Sequence, residues 1–84
     1  MIKAVRYTSH AMVVLREREL NSDWIERAIR HPDWVEVDPG DASVSRYFVA
    51  LPERGGRHLR VAAVEMDGTY LILTAFLDRR ARPK

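Results

Sequence analysis

The feature that most constrains the fold is the stretch Thr69–Leu77, which reads Thr-Tyr-Leu-Ile-Leu-Thr-Ala-Phe-Leu. It is rich in β-branched and aromatic residues and apolar on both alternating faces, which is typical of a strand inside a sheet with both sides covered. The preceding dipeptide Asp67-Gly68 favours a two-residue type I′ turn, because both central residues of that turn need positive φ. The sequence therefore predicts an antiparallel hairpin between residues 58–66 and 69–77.

The tight turn also predicts the register of this hairpin, since the turn type fixes which residues face each other. Thr74 is out of character here, because it places a hydroxyl in an otherwise apolar part of the strand. The predicted pairs are Met66–Thr69, Val61–Thr74, Arg60–Ala75 and Leu59–Phe76.

Two helices are predicted upstream of the hairpin. Thr8 and Ser9 offer an N-cap hydroxyl for a first helix over residues 10–19, after a short extended start. Asn21 or Ser22 caps a second helix over residues 22–30, which Pro32 ends. On the first helix Arg18 shares the stripe of Ala11, Val14 and Leu15, so it is predicted to be buried and paired.

The hydrophobic period changes from helical to two after Pro32, which predicts further strands over residues 34–37 and 44–51. A turn-rich loop, 39–43, separates them, and a glycine-rich connection, 52–57, leads into the hairpin. The sequence thus predicts one α+β domain, residues 1–84, with two N-terminal helices packed on a four-stranded antiparallel sheet.

Composition excludes several classes of protein. The chain has 84 residues and no cysteine, so it offers neither a disulfide framework nor a thiolate metal site. Its first residues lack the apolar core of a signal peptide, and no apolar run approaches the roughly 20 residues of a membrane helix. We therefore expect a cytoplasmic bacterial protein without a membrane partner.

Arginine dominates the positive charge, since it supplies twelve of the fourteen basic residues although the net charge is only +2. Guanidinium groups suit bidentate binding of phosphate or carboxylate, whereas a GC-rich genome would also raise the arginine count. The segment 79–84 carries four positive charges and no negative one, which fits either a solvated end or a nucleic-acid contact. The candidate nucleic-acid-binding residues are Arg46, Arg60, Arg79, Arg80 and Arg82.

The three histidines do not predict a metal site, because no two share a helix face or a short strand spacing and no acidic cluster accompanies them. Accordingly, neither a metal nor another cofactor is expected. His31 suits a helix C-terminus by its charge. His10, in the first turn of a helix, fits either a surface residue or a general base.

Four short motifs occur in an order that resembles a known family. They are Tyr7-Thr-Ser-His-Ala11, Arg16-Glu-Arg18 followed by Leu20-Asn21, the helix to Pro32-Asp33, and Leu73-Thr-Ala-Phe76. This set resembles the bacterial domain-of-unknown-function family 4258 over nearly the whole chain. The resemblance implies a RelE-like fold, shared with barnase, EndoU and colicin ribonucleases, and it carries over His10, Arg18 and Thr74 as site positions.

The resemblance implies a fold and not an activity, and two functions remain open. The first is a toxin-type, metal-independent ribonuclease in which His10 is the base, Arg18 stabilises charge on the phosphate and Thr74 binds a phosphate oxygen. The second is a non-catalytic small basic domain that binds nucleic acid or a protein partner such as an antitoxin. Family members often carry another arginine where this chain has Val14, which fits the second function. A homodimer through the strand 34–37 is a further possibility.

Overall fold

A computed structural model describes residues 4–83, which form two helices and five strands. The segments predicted as helices and strands all form, with bounds that differ by a few residues. A single 3-10 turn, Pro52–Arg54, lies in the glycine-rich connection. The elements in chain order are β1 (Ala4–Tyr7), α1 (Ser9–Glu17), α2 (Ser22–Arg30), β2 (Trp34–Asp38), β3 (Asp41–Leu51), β4 (Arg57–Met66) and β5 (Thr69–Asp78).

The sheet has five strands in the order β1-β5-β4-β3-β2, and it is mixed rather than antiparallel throughout. Strand β1 pairs with β5 in parallel, from Ala4 opposite Thr69 to Tyr7 opposite Ile72. The prediction of four antiparallel strands was therefore wrong by one strand. A four-residue strand gives little periodic signal, and its partner is more than 60 residues away in the chain.

Both helix starts are capped by side chains in the predicted region. The Thr8 hydroxyl accepts a hydrogen bond from the Ala11 amide at 3.0 Å, and the Asn21 side chain accepts one from the Asp23 amide at 2.8 Å. Helix α1 ends two residues earlier than predicted, because Glu19 adopts the left-handed conformation with φ of 54°. Arg18 is consequently the C-cap of α1 and not part of its last turn.

Both helices pack on one face of the sheet, and the main core lies between these two layers. Alternation along β3 and β4 directs every second side chain into this core, whereas a bulge on β5 interrupts that spacing. Leu59 and Val61 on β4 and Ile72 and Ala75 on β5 are fully buried there. The helices contribute Ala11, Ile25, Ala28 and Ile29, and the loop between them contributes Leu20.

A β-bulge at Leu73 shifts the register of the β4–β5 hairpin. Met66 pairs with Thr69 as predicted, but Leu73 has no partner on β4. Beyond it the observed pairs are Ala62–Thr74, Val61–Ala75, Arg60–Phe76 and Leu59–Leu77, one residue away from the predicted ones. The extra residue moves Thr74 from the helix-covered face to the opposite face and places Ala75 in the core.

Candidate nucleic-acid interface

The face of the sheet that points away from the helices, which we call the outer face, carries charged and aromatic side chains in transverse rows. One row is set by the pairs Trp34–Phe48, Phe48–Arg60 and Arg60–Phe76 across β2 to β5. The neighbouring row contains Glu36, Arg46, Ala62 and Thr74. Alternation along each strand therefore brings together residues that are far apart in the sequence.

The aromatic part of this row is tightly packed at the β2 side. The rings of Trp34 and Phe48 stack with centroids 4.6 Å apart and an interplanar angle of 8°, and His58 meets Trp34 edge-on at 5.2 Å. The indole N–H of Trp34 donates to the Glu36 carboxylate at 2.9 Å. Phe48 is only 3% exposed, so it supports this face without being available to a ligand.

Phe76 links the outer face to the end of α1 through two arginines. The guanidinium carbon of Arg60 lies 4.4 Å from the centroid of the Phe76 ring, and that of Arg18 lies 5.9 Å from it. Both distances fall within the roughly 6 Å range of cation–π attraction. Two positive charges thus share one aromatic ring, although they come from different layers of the fold.

Two ion pairs fix the arginines in the middle of the outer face. Arg46 binds Asp38 at 3.0 Å, and Arg60 binds Asp78 at 3.2 Å. Hydrogen bonds from the Gly40 amide and from Arg46 hold the pKa of Asp38 below its ordinary value. These pairs set the direction of each guanidinium group and leave N–H donors for further acceptors, since a guanidinium carries five.

The C-terminal segment lies against the outer face. Ala81 is 6% exposed, and the side chain of Arg82 donates to the carbonyls of Arg79 and Ala81 at 3.4 and 2.9 Å. Between this segment and strands β2 to β5 runs a groove of about 420 Å³. Four arginines and two carboxylates line it: Arg46, Arg60, Arg80 and Arg82 with Glu36 and Asp78.

The structure therefore brings together four of the five arginines predicted to bind nucleic acid. The fifth, Arg79, lines a second pocket of about 310 Å³ on the other side of the C-terminal segment. Arg82 and Asp78 line both cavities, which makes the two neighbours. Lys84, the last positive charge of the predicted segment, lies outside the described residues.

Arg18 is exposed, so the prediction of burial was wrong, but it is paired as predicted, and its partner is a backbone carbonyl. Its guanidinium donates to the Ala75 carbonyl at 2.8 Å. Strand β1 ends at Tyr7, opposite Ile72, so it pairs with only the first part of β5. Arg18 satisfies a carbonyl on the part of β5 that β1 does not reach, which gives it a structural role.

His10 is on α1 and Thr74 is on β5, the strand that α1 packs against, but the Thr74 side chain lies on the outer face and α1 lies on the other. The Thr8 hydroxyl donates to the Leu73 carbonyl at 3.4 Å at one end of α1, and Arg18 binds Ala75 at the other. Thr74 is the residue between these two anchor points, and His10 is exposed in the first turn of α1. Within residues 4–83, however, no hydrogen bond joins the His10 imidazole or the Thr74 hydroxyl to another group.

Sequence reasoning missed His58 as a residue of this surface. The signal was present, because His58 and Arg60 are two apart in a strand of period two and must share a face. Its strand also follows directly on the Gly55-Gly56 turn, which brings Arg57 and His58 to the second pocket.

Outside the groove, an exposed sheet edge is available for contact with a second copy of the chain. Strand β2 is an edge of the sheet, and Val35 and Val37 on it are 48% and 62% exposed, which leaves room for the predicted strand pairing between two copies. In the part of the chain that the structure describes, no helix has the length and apolar character needed to span a membrane. The same residues contain no cluster of three or more His, Asp or Glu side chains suited to a metal ion.

Comparison with known proteins gives one match. No curated protein and no solved structure matches the chain. The family model described as "Domain of unknown function (DUF4258)" matches residues 7–77. This range includes both helices, strands β2 to β4 and nearly all of β5, and it covers well over half of the 84 residues. The chain therefore belongs to the DUF4258 family.

Proposed function

We propose that this domain binds single-stranded RNA along the groove of its outer face. The observation that carries the proposal is the groove lining, in which four arginines face two carboxylates. Guanidinium groups bind phosphate oxygens in a bidentate fashion, and a lining with surplus positive charge favours a polyanion. The choice of RNA follows from the resemblance to RelE-like ribonuclease domains, a grouping that belongs to this proposal.

Arg46 and Arg60 would bind a phosphate at a greater energetic cost than the other two arginines of the groove. Arg46 and Arg60 already have carboxylate partners, so a phosphate must share them or displace Asp38 and Asp78. Arg80 has no ion pair within residues 4–83, and Arg82 donates only to carbonyls of its own segment. We therefore infer that Arg80 and Arg82 supply most of the affinity, while Arg46 and Arg60 orient the strand.

The test is fluorescence anisotropy of a labelled single-stranded RNA at several salt concentrations. Arg80→Gln with Arg82→Gln should weaken binding and lower the slope of log K against log salt by roughly 0.7 for each phosphate that is no longer bound. Arg16→Gln is the matched control, since Arg16 is exposed on α1 in the other layer. Loss of affinity in the control equal to that in the double variant would contradict the proposal, as would wild-type protein that binds no RNA.

Metal-independent cleavage of the bound RNA is the second candidate function. What supports it is the contact that Arg18 and Arg60 both make with the Phe76 ring, since two neighbouring cations would favour the binding of one phosphate. In this mechanism His10 takes the proton of a 2′-hydroxyl, whose oxygen attacks the adjacent phosphorus. The 5′-oxygen leaves with a proton from solvent, and a 2′,3′-cyclic phosphate remains.

Three other side chains would act on the phosphate in that reaction. Arg18 and Arg60 stabilise the extra negative charge on the pentacoordinate phosphate, and Thr74 donates its hydroxyl to a phosphate oxygen. Val14, at the position where the family often has arginine, supplies no charge. A toxin of this kind would be held inactive by an antitoxin-like protein, which is the partner that this candidate function implies.

The cleavage assay uses purified protein and RNA in EDTA, with and without ribosomes. Wild-type protein should give products with 2′,3′-cyclic phosphate ends, and His10→Ala and Arg18→Ala should not. Arg16→Ala serves as the control for a neighbouring change on α1. Intact RNA after incubation with the wild type under both conditions would eliminate cleavage and leave the binding function.

A further inference from the structure

The second pocket, of about 310 Å³, has features of a site for a small anion. Residues 55–58 form one side of it, and Asp78, Arg79 and Arg82 form the other. Its volume lies at the lower end of the range for ligand sites, roughly 300–1000 Å³. The turn that forms its rim is held in place, because the amides of Gly55 and Gly56 donate to the carbonyls of Pro52 and Leu51.

The charges around this pocket are not balanced. Arg57 and Arg79 have no ion pair within the described residues, and Arg82 reaches only backbone carbonyls. The single carboxylate of the pocket, Asp78, is already bound to Arg60 at 3.2 Å and to the Arg80 amide at 2.9 Å. Three guanidinium groups therefore surround a small space without a neutralising partner, and an anion would relieve their mutual repulsion.

The chemistry favours a phosphate monoester over a diester. A monoester carries about −1.5 to −2 charge at neutral pH and three strong acceptor oxygens, whereas each internal phosphate of RNA carries a single charge. Three guanidinium groups match the monoester in charge and in number of acceptors. The imidazole of His58, held edge-on to Trp34, adds a further donor at the wall.

The position of the pocket relative to the groove identifies the source of the monoester. Both cavities are lined by Asp78 and Arg82, so a strand lying in the groove can end in the pocket. We propose that this pocket binds the terminal phosphate of an RNA strand, at either its 5′ or its 3′ end. The inference rests on the proposed binding of RNA in the groove and adds to it a preference for phosphorylated ends.

The experiment compares three RNAs of one sequence, with a 5′-phosphate, with a 3′-phosphate or with hydroxyls at both ends. One phosphorylated form should bind about tenfold more tightly than the hydroxyl form, as one charge-assisted contact of about 1.4 kcal/mol gives. Arg57→Gln should remove this preference and leave the affinity for the hydroxyl form unchanged, which also shows that the variant is folded. Arg16→Gln should keep the preference.

The outcomes separate this inference from the proposed function. Equal affinity for all three RNAs overturns the terminal-phosphate site and leaves RNA binding in the groove intact. A preference that survives Arg57→Gln also overturns it, because the selectivity would then arise elsewhere. Absence of binding by any of the three RNAs overturns both.

Discussion

Replacement of Arg18 by methionine separates its structural role from any role in catalysis. Methionine keeps an unbranched, apolar side chain but removes the donor to the Ala75 carbonyl, a contact of 2.8 Å on a part of β5 that β1 does not reach. A hydrogen bond of this kind contributes about 0.5–1.5 kcal/mol net. The cation–π contact with Phe76 is near its distance limit and exposed, so it adds at most about 0.5 kcal/mol.

We therefore expect Arg18→Met to lower the free energy of unfolding by about 1 kcal/mol. In a domain of this size such a change lowers Tm by roughly 4–8 °C. Urea unfolding followed by tryptophan fluorescence measures the change. Arg16→Met is the control, because the exposed side chain of Arg16 makes no ion pair or hydrogen bond within residues 4–83. A variant as stable as the wild type would refute the edge-carbonyl role, and Arg18 would then be free to serve a ligand alone.

Three further outcomes follow from packing and charge. Leu59→Ala should cost about 2–5 kcal/mol, because Leu59 is fully buried, whereas Val35→Ala on the exposed edge should cost less than about 0.5 kcal/mol in urea unfolding. Hydrogen bonding from Arg27 lowers the pKa of Glu53 from 4.5 to about 2, so its stabilisation is complete above pH 4.5 and is lost as the pH falls towards 2. Glu53→Gln should remove the pH dependence of the urea unfolding midpoint between pH 4.5 and 2. If the variant keeps the pH dependence of the wild type, the Arg27–Glu53 pair is not its cause. Removal of residues 79–84 should lower the salt slope of RNA binding by roughly 0.7 for each phosphate that the segment had bound, and an unchanged slope would show that the segment binds no phosphate.

The position of β5 in the sheet could be predicted from its sequence, but its second neighbour could not. Apolar residues on both faces indicated a strand inside the sheet, and β5 does lie between β1 and β4. A meander of four strands would have left β5 at an edge, so the pattern already required another neighbour. Strand β1 supplies it through a parallel, non-local pairing that four residues do not specify by composition.

The Asp67-Gly68 turn predicts the register of the β4–β5 hairpin only for the residues near it. The Asp67-Gly68 turn set the pairing near it, but the bulge at Leu73 moved every later pair by one residue. Thr74 was the sequence feature that indicated a bulge, because a regular register would have placed its hydroxyl in the core. The bulge avoids that cost and puts Ala75 there instead.

The candidate interface could be predicted in its residue types but only partly in its geometry. The high arginine content indicated phosphate-binding residues, with Arg46 and Arg60 among the candidates, and these two do share a face. The return of the C-terminal segment over that face, with Ala81 buried, could not be predicted, because a short polar segment carries no periodic pattern. That segment forms one wall of the groove.

The most direct test of RNA binding on the outer face is the mapping of amide NMR signals during titration with a single-stranded RNA. We predict that the largest shifts occur on the outer face, at Arg46, Arg60 and Ala81, and that the signals of α2 (Ser22–Arg30) stay in place. Shifts confined to the helices, or no shifts at RNA concentrations that saturate other basic domains, would contradict the assignment.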